Sequence, residues 1–124
     1  MRKQYQNYSD PLSKKSFSLA VRMVNLYRFL TEKKREFVLS KQILRSGTNP
    51  GSMVRESKNA ETGKDFIHKL GIAQKETGET MFWLELLHAT DYISETEFDS
   101  LYDDTEEVMK LLTSSIKTKK KRLI

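Results

Sequence analysis

Two spacings of an acidic residue and a histidine are the first candidates for chemistry in this sequence. Metal-binding four-helix proteins use a Glu-x-x-His motif on each of two helices, with further glutamates from the other helices. Glu85 and His88 fit this motif, and Asp65 with His68 fits it less well. Both pairs fall in one predicted helix, 20 residues apart, which is about 30 Å along a helix axis. Because the pairs cannot share one site, we predict no metal centre and no cofactor.

Glu76 and Glu79, one helical turn apart, are the second candidates. Two neighbouring carboxylates can act as general acid and base, or they can form ion pairs with basic residues such as Arg45 or Arg55. The sequence of 124 residues contains no cysteine, no glycine-rich phosphate loop and no His-Glu-x-x-His motif. We therefore favour ion pairs, predict no catalytic residue and expect that the protein is not an enzyme.

Basic residues give a stronger indication of function than acidic ones. The chain has 22 Lys and Arg against 17 Asp and Glu, a formal net charge of +5. Residues 1–35 contain nine basic and two acidic side chains, so the surplus lies in the N-terminal third. A basic helix face can neutralise phosphates and release counterions from nucleic acid, or it can simply be solvated. The sequence by itself leaves both interpretations open.

The candidate phosphate contacts lie mainly on the polar side of the first predicted helix. The first choices are Lys14, Lys15, Arg22, Arg28 and Lys33. The second choices, which could instead pair with glutamates inside the protein, are Arg45, Arg55 and Lys58. Contacts of this kind hold the nucleic-acid backbone and read few bases.

Apolar residues at three- and four-residue spacing predict four long helices that position these side chains. The chain has only 5 Gly and 2 Pro to interrupt them. The predicted spans are 13–34, 36–61, 64–92 and 95–117. Side chains that precede three of the helices are predicted to cap them, namely Asp10, Thr62 and Ser94. The apolar stripe of the second helix is expected to begin at Phe37 and Val38.

Pro50 interrupts the pattern of the second helix. A proline inside a helix removes one backbone hydrogen bond and kinks or breaks the helix. Apolar residues resume at 53–54, in phase with Gly47, so we favour a kinked helix over a loop. The small residues Ser46, Gly47 and Gly51 would allow a neighbouring helix to approach closely.

Four amphipathic helices joined by short links predict an all-α fold, an antiparallel up-down four-helix bundle in a single domain. The expected organisation is an N-terminal extension at 1–12, the bundle at 13–118 and a basic tail at 119–124. Apolar runs stay well short of the roughly 18 residues that a membrane span needs, and the N-terminus lacks the apolar stretch of a secretory signal. We expect a cytoplasmic protein with no membrane partner.

The third predicted helix is apolar on two sides. One stripe suits the core of the bundle, and the second consists of Ile72, Phe82, Trp83 and Leu86. A helix with two apolar sides is buried on both. We therefore predict that the second stripe is the subunit interface of a homo-oligomer.

Two central segments mix small, polar and aromatic residues at fixed offsets. Residues 40–56 read SKQILRSGTNPGSMVRE, and residues 66–87 read FIHKLGIAQKETGETMFWLELL. Together they resemble the four-helix bundle family of 23S rRNA-intervening sequence proteins, and the resemblance extends over residues 10–118. The sequence departs from the family pattern at Pro50 and Met53.

The resemblance implies a protein with a ribosomal-protein label, no established activity, and RNA rather than DNA as its partner. A related branch, the accessory variability protein of diversity-generating retroelements, forms a pentameric barrel and binds nucleic acid and a reverse transcriptase through basic surface. By this resemblance we expect a homopentamer that binds nucleic acid. The alternative is a scaffold for another protein, such as a reverse transcriptase, with no direct nucleic-acid contact.

Overall fold

The structure is a computed structural model that describes residues 9–124. Within this range the chain folds into four α-helices in up-down order. They are α1 (Pro11–Glu32), α2 (Leu39–Ser57), α3 (Gly63–Ala89) and α4 (Glu95–Arg122). α1 and α3 each pack against α2 and α4. Since connections of five or six residues join successive helices, neighbours run antiparallel and the predicted all-α four-helix bundle is confirmed. Within the described range, no helix combines the length and apolar character of a membrane crossing.

Three helices begin at the caps that the sequence predicts. At the start of α1, Asp10 Oδ2 accepts a hydrogen bond from the backbone N–H of Ser13 at 3.0 Å. Thr62 caps α3 in the same way. Ser94 and Glu97 form a capping box at α4, in which each side chain accepts from the backbone N–H of the other residue. These bonds satisfy N–H groups that a helix leaves unpaired in its first turn.

Helix α2 begins three residues later than predicted, at Leu39 instead of Glu36. The carboxylate of Glu36, which is 9% exposed, accepts from the backbone N–H groups of residues 38–40 at 3.2, 3.0 and 2.7 Å. Burial alone would raise the pKa of Glu36, but these hydrogen bonds hold it below its ordinary value. Glu36 therefore lies before α2 and caps it with its side chain. The apolar pattern placed the helix start too early because it assigned Phe37 and Val38 to the helix.

The other helix ends differ from the predictions by a few residues. α1 starts at Pro11, two residues early, and α1, α2 and α3 end two to four residues before their predicted ends. α4 continues to Arg122 instead of ending at Lys117, so residues 119–122 of the predicted tail are helical. The four basic residues of its last turn favour this extension because cations stabilise the negative end of the helix dipole.

All four helices contribute to the core. Its largest fully buried apolar side chains are Leu19, Met23, Leu30, Ile43, Leu70, Leu84, Leu87, Val108 and Leu112. Three threonines are buried among them, namely Thr77, Thr80 and Thr105. Each of these hydroxyls donates to the backbone carbonyl four residues earlier, at 2.7–2.8 Å. Their burial therefore leaves no donor unpaired.

Helix α2 runs without interruption through Pro50, which is buried. The loop interpretation of this segment is therefore wrong. The two glycines near the proline bring α1 close, as predicted. The carbonyl oxygen of Ser16 lies 3.1 Å from the place that a Cβ would take at Gly51, and the side chain of Met23 fills the space beside Gly47. The contact with α1 thus occupies the surface of α2 on both sides of the proline.

Candidate nucleic-acid interface

The basic residues of α1 divide between two sides of the helix. Lys15 Nζ lies 3.3 Å from a carboxylate oxygen of Glu107. Arg22 Nη1 lies 2.7 Å from Asp104 Oδ2 and also donates to a backbone carbonyl of α4 at 3.1 Å. These acceptors belong to residues 95–107, a stretch of α4 with seven acidic and no basic side chains. Two of the predicted phosphate contacts are therefore paired with α4.

The remaining first-choice cations, Lys14, Arg28 and Lys33, are exposed. None of them forms an ion pair within the part of the chain that the structure describes. Lys14 and Arg28 share the outward side of α1 and lie about 21 Å apart along its axis. Val21 and Val24, exposed at 44% and 37%, lie between them. This outward side offers positive charge that is not already neutralised.

Two of the second-choice cations, Arg55 and Lys58, lie together near the C-terminal end of α2. They line a cavity of ≈ 240 Å³ that is also bordered by the start of α1. Lys58 Nζ lies 2.8 Å from Asp10 Oδ1, so it ties the end of α2 to the cap of α1. Arg45, the third residue of this set, lies ten residues earlier, about 15 Å away along the helix.

Arg45 binds both carboxylates of the glutamate pair. Its Nη1 and Nη2 atoms lie 2.6 Å from Oε1 of Glu76 and 2.6 Å from Oε1 of Glu79, and Trp83 Nε1 donates to Glu79 at 3.2 Å. Partial burial would raise the pKa of Glu79, but the hydrogen bonds from Trp83 and Arg45 lower it. The bonds to Glu79 and Glu76 in turn raise the pKa of Arg45. The ion-pair prediction is confirmed for Arg45, and the lowered pKa is the opposite of what a general acid needs.

The two histidines lie in different surroundings. His68 is exposed, whereas the ring of His88 stacks on that of Phe98 at a centroid distance of 4.6 Å. Glu85 accepts a hydrogen bond from the hydroxyl of Tyr102 at 2.7 Å, and this bond raises the pKa of Tyr102 to about 12. In the described chain, no three His, Asp or Glu side chains are grouped so that they could hold a metal ion.

The second apolar stripe of α3 lies at the surface of the single chain. Phe82 is 55% exposed, and Ile72, Trp83 and Leu86 are half-buried. The rings of Phe82 and Trp83 meet edge to face at 5.2 Å. Trp83 also packs against the core and bonds to Glu79, so part of its burial is internal to the chain. The other three residues are the ones that leave apolar surface uncovered.

The connection between α1 and α2 contains residues that the sequence reasoning missed. Phe37 and Val38, predicted to start a buried stripe, are 48% and 69% exposed. Lys34 and Arg35 lie beside aromatic rings. The run of three basic residues with an aromatic residue two positions after it was a usable signal. It was hidden because the apolar pair was assigned to the buried side of α2.

Comparison with known proteins identifies the family to which this bundle belongs. Residues 11–114 match the family model described as 23S rRNA-intervening sequence protein. This chain belongs to that family. A crystal structure of a protein with unknown function from the S23 ribosomal protein family of Bacteroides thetaiotaomicron is similar to it, with 52% sequence identity and a TM-score of 0.85. The match covers 86% of this chain and 95% of that chain. A search of curated proteins finds no match.

The region that matches the family model includes most of the candidate sites. Both groups of α1 cations, the Arg45 pair and the α3 stripe lie within residues 11–114. The last basic turn of α4 lies beyond it. The similar structure is described as a protein with unknown function from the S23 ribosomal protein family.

Proposed function

We propose that this protein is a non-enzymatic homo-oligomer that binds the phosphate backbone of nucleic acid through cations on α1, and at its C-terminal end, that form no ion pair in the described structure. The supporting observation is the division of these cations. Lys15 and Arg22 already neutralise carboxylates of α4, whereas Lys14, Arg28 and Lys33 are exposed. An unpaired cation can take the place of a counterion on a phosphate, which is the main source of affinity in contacts of this kind.

RNA is the preferred partner in this proposal. The family description names an intervening sequence of 23S rRNA, and a cytoplasmic location is proposed together with that partner. The exposed apolar residues of the α3 stripe, Phe82 above all, support association between copies of the chain. The resemblance to the retroelement branch implies five copies, which would repeat the outward side of α1 around one assembly.

The same stripe favours a second candidate function. Its uncovered apolar side chains could instead receive another protein, such as a reverse transcriptase, while the basic side of α1 only keeps the assembly soluble. In that case the protein is a scaffold and makes no direct contact with nucleic acid.

Neutralising Arg28 tests the phosphate contact, and neutralising Arg22 is the matched control. Arg28→Gln and Arg22→Gln change the net charge by the same amount, but only Arg28 is unpaired in the described structure. We expect Arg28→Gln to weaken RNA binding and to reduce the slope of log affinity against log salt by about 0.7–0.9. Arg22→Gln should change the slope less. Equal effects of the two variants would contradict the assignment. Absence of RNA binding by the unmodified protein at low salt would favour the scaffold.

Light scattering tests the assembly. We expect an oligomer at micromolar protein concentration, and Phe82→Asp should reduce its mass because a buried unpaired charge opposes association. Val21→Asp, at an exposed apolar position on α1, is the control and should leave the mass unchanged. A stable monomer for the unmodified chain would contradict the homo-oligomer.

A further inference from the structure

The α1–α2 connection, residues 33–38, concentrates exposed positive and apolar side chains at one end of the bundle. We call these residues, Lys-Lys-Arg-Glu-Phe-Val, the basic corner. Its three cations form no ion pair within residues 9–124. Phe37 and Val38 are 48% and 69% exposed, and Lys41 adds another exposed cation in the first turn of α2.

The basic corner is held in one conformation by Glu36. The backbone N–H of Glu36 donates to the carbonyl of Leu30 at 2.9 Å. The carboxylate of Glu36 accepts from the three backbone N–H groups of residues 38–40. The hydroxyl of Ser40 donates back to the carbonyl of Glu36 at 2.9 Å. Arg35 has a φ of 55°, a left-handed conformation that a non-glycine residue adopts at some cost. These bonds anchor the buried side of the connection, so the exposed ring of Phe37 belongs to a fixed surface.

Two aromatic rings at or beside the basic corner each have a cation next to them. The guanidinium carbon of Arg35 lies 5.4 Å from the centroid of Phe37, and Lys34 Nζ lies 5.7 Å from that of Phe29. An exposed ring beside cations that form no ion pair is the combination that binds a stacked base and its phosphates in single-stranded nucleic acid. In the interior of a duplex, neighbouring pairs cover the faces of the bases, so Phe37 could not stack on them there.

We propose that the basic corner binds single-stranded nucleic acid, with a base stacked on Phe37 and the adjoining phosphates neutralised by Lys33, Lys34 and Arg35. This inference rests on the proposed function and narrows it, because Lys33, one of the first-choice phosphate contacts, is the first residue of the basic corner. Charge complementarity favours a polyanion as the occupant. Only two apolar side chains are exposed here, fewer than the continuous apolar face with which amphipathic helices enter a membrane surface.

Removal of the ring is the decisive test. The probes are a single-stranded RNA of about 12 nucleotides and a duplex of the same length. We expect Phe37→Ala to lower affinity for the single strand roughly 5- to 150-fold and to leave duplex affinity unchanged. Leu123→Ala, which shortens an equally exposed apolar side chain at the C-terminal end of α4, should change neither affinity. Phe37→Trp should restore single-strand binding.

The salt dependence separates stacking from charge. Phe37→Ala should reduce single-strand affinity without changing the salt slope, because stacking releases no counterion. Lys34→Gln should reduce that slope by about 0.7, while stacking on Phe37 still contributes to the affinity. If Phe37→Ala binds the single strand as tightly as the unmodified protein, the stacking contact is wrong although the proposed function stands. If the unmodified protein binds neither probe at low salt, the stacking contact and the proposed function are both wrong.

Two other occupants of the basic corner would give distinct results. A lower oligomer mass for Phe37→Ala would place the ring in a contact between copies of the chain. Binding to vesicles that contain phosphatidylserine, lost in Phe37→Ala, would assign the corner to a membrane surface. Either result without a loss of single-strand affinity overturns the proposal.

Discussion

Helix α1 meets its two neighbours through different kinds of contact. Towards α2 it packs closely, because Gly47 and Gly51 leave room for the side chain of Met23 and for the backbone near Ser16. Towards α4 the packing is sparser, and two ion pairs join the helices. Helix α1 is therefore held to α2 mainly by close packing and to α4 partly by ion pairs.

The difference matters because substitutions in close packing and substitutions in ion pairs change the stability of the protein by different amounts. In a closely packed contact, adding a single carbon without space for it lowers the stability of the folded protein. Half-exposed ion pairs contribute little to stability, yet they decide which cations remain available to a phosphate. The α2 side of α1 thus fixes the geometry of the bundle, and the α4 side selects which positive charges are free.

The largest expected effect is on the α2 side. Gly47→Ala would place a methyl group against the fully buried side chain of Met23. We expect the free energy of unfolding to fall by about 1–3 kcal/mol, measured by chemical denaturation.

Gly71→Ala is the matched control for this substitution. Gly71 is also inside a helix, but nothing lies within 4 Å of the added carbon. The control should be more stable than the unmodified protein by about 0.5–1 kcal/mol, since alanine favours the helix. If both variants behaved alike, close approach at Gly47 would not be what holds α1 to α2.

A smaller effect is expected where a charge joins α1 to the end of α2. Burial alone would raise the pKa of Asp10, but hydrogen bonds from Lys58 and Ser13 lower it from 3.8 to about 2. Because the folded pKa is depressed, this stabilisation is present above about pH 4 and is lost as the pH falls towards 2. Asp10→Asn should cost about 1 kcal/mol at neutral pH and flatten the loss of stability between pH 4 and 2.

Lys58→Gln serves as the control for this pH dependence. It removes the charged partner and keeps the Asp10 cap of α1. The loss of stability in acid should be intermediate between those of the unmodified protein and Asp10→Asn. An unchanged acid profile in Asp10→Asn would show that other carboxylates dominate the transition.

The smallest effect is expected on the α4 side. A double-mutant cycle with Arg22→Ala and Asp104→Ala should give a coupling energy of about 0.5 kcal/mol, because both side chains are partly solvated. The coupling should disappear at about 1 M salt. A coupling of several kcal/mol that persists in salt would make this side as important for stability as the glycine contact.

The sequence predicted local features well. The caps at Asp10, Thr62 and Ser94 were found because a cap acts on N–H groups within three residues of itself. The pairing of Arg45 with Glu76 and Glu79 was predicted because no nucleophile or loop gave those carboxylates another role. Glu36 was placed inside α2 because glutamate is not among the residues that commonly cap a helix, and because Phe37 and Val38 were assigned to the apolar stripe of that helix.

The sequence by itself determined four long amphipathic helices and the bundle that they form, because apolar periodicity and capping are properties of neighbouring residues. Only the tertiary structure decided which basic residues of α1 are paired, since that depends on which helix lies beside each of its sides. The same holds for Phe37, whose exposure follows from where α2 begins. Charge composition therefore indicated a polyanionic partner, while the packing of α1 determined which cations are available to bind one.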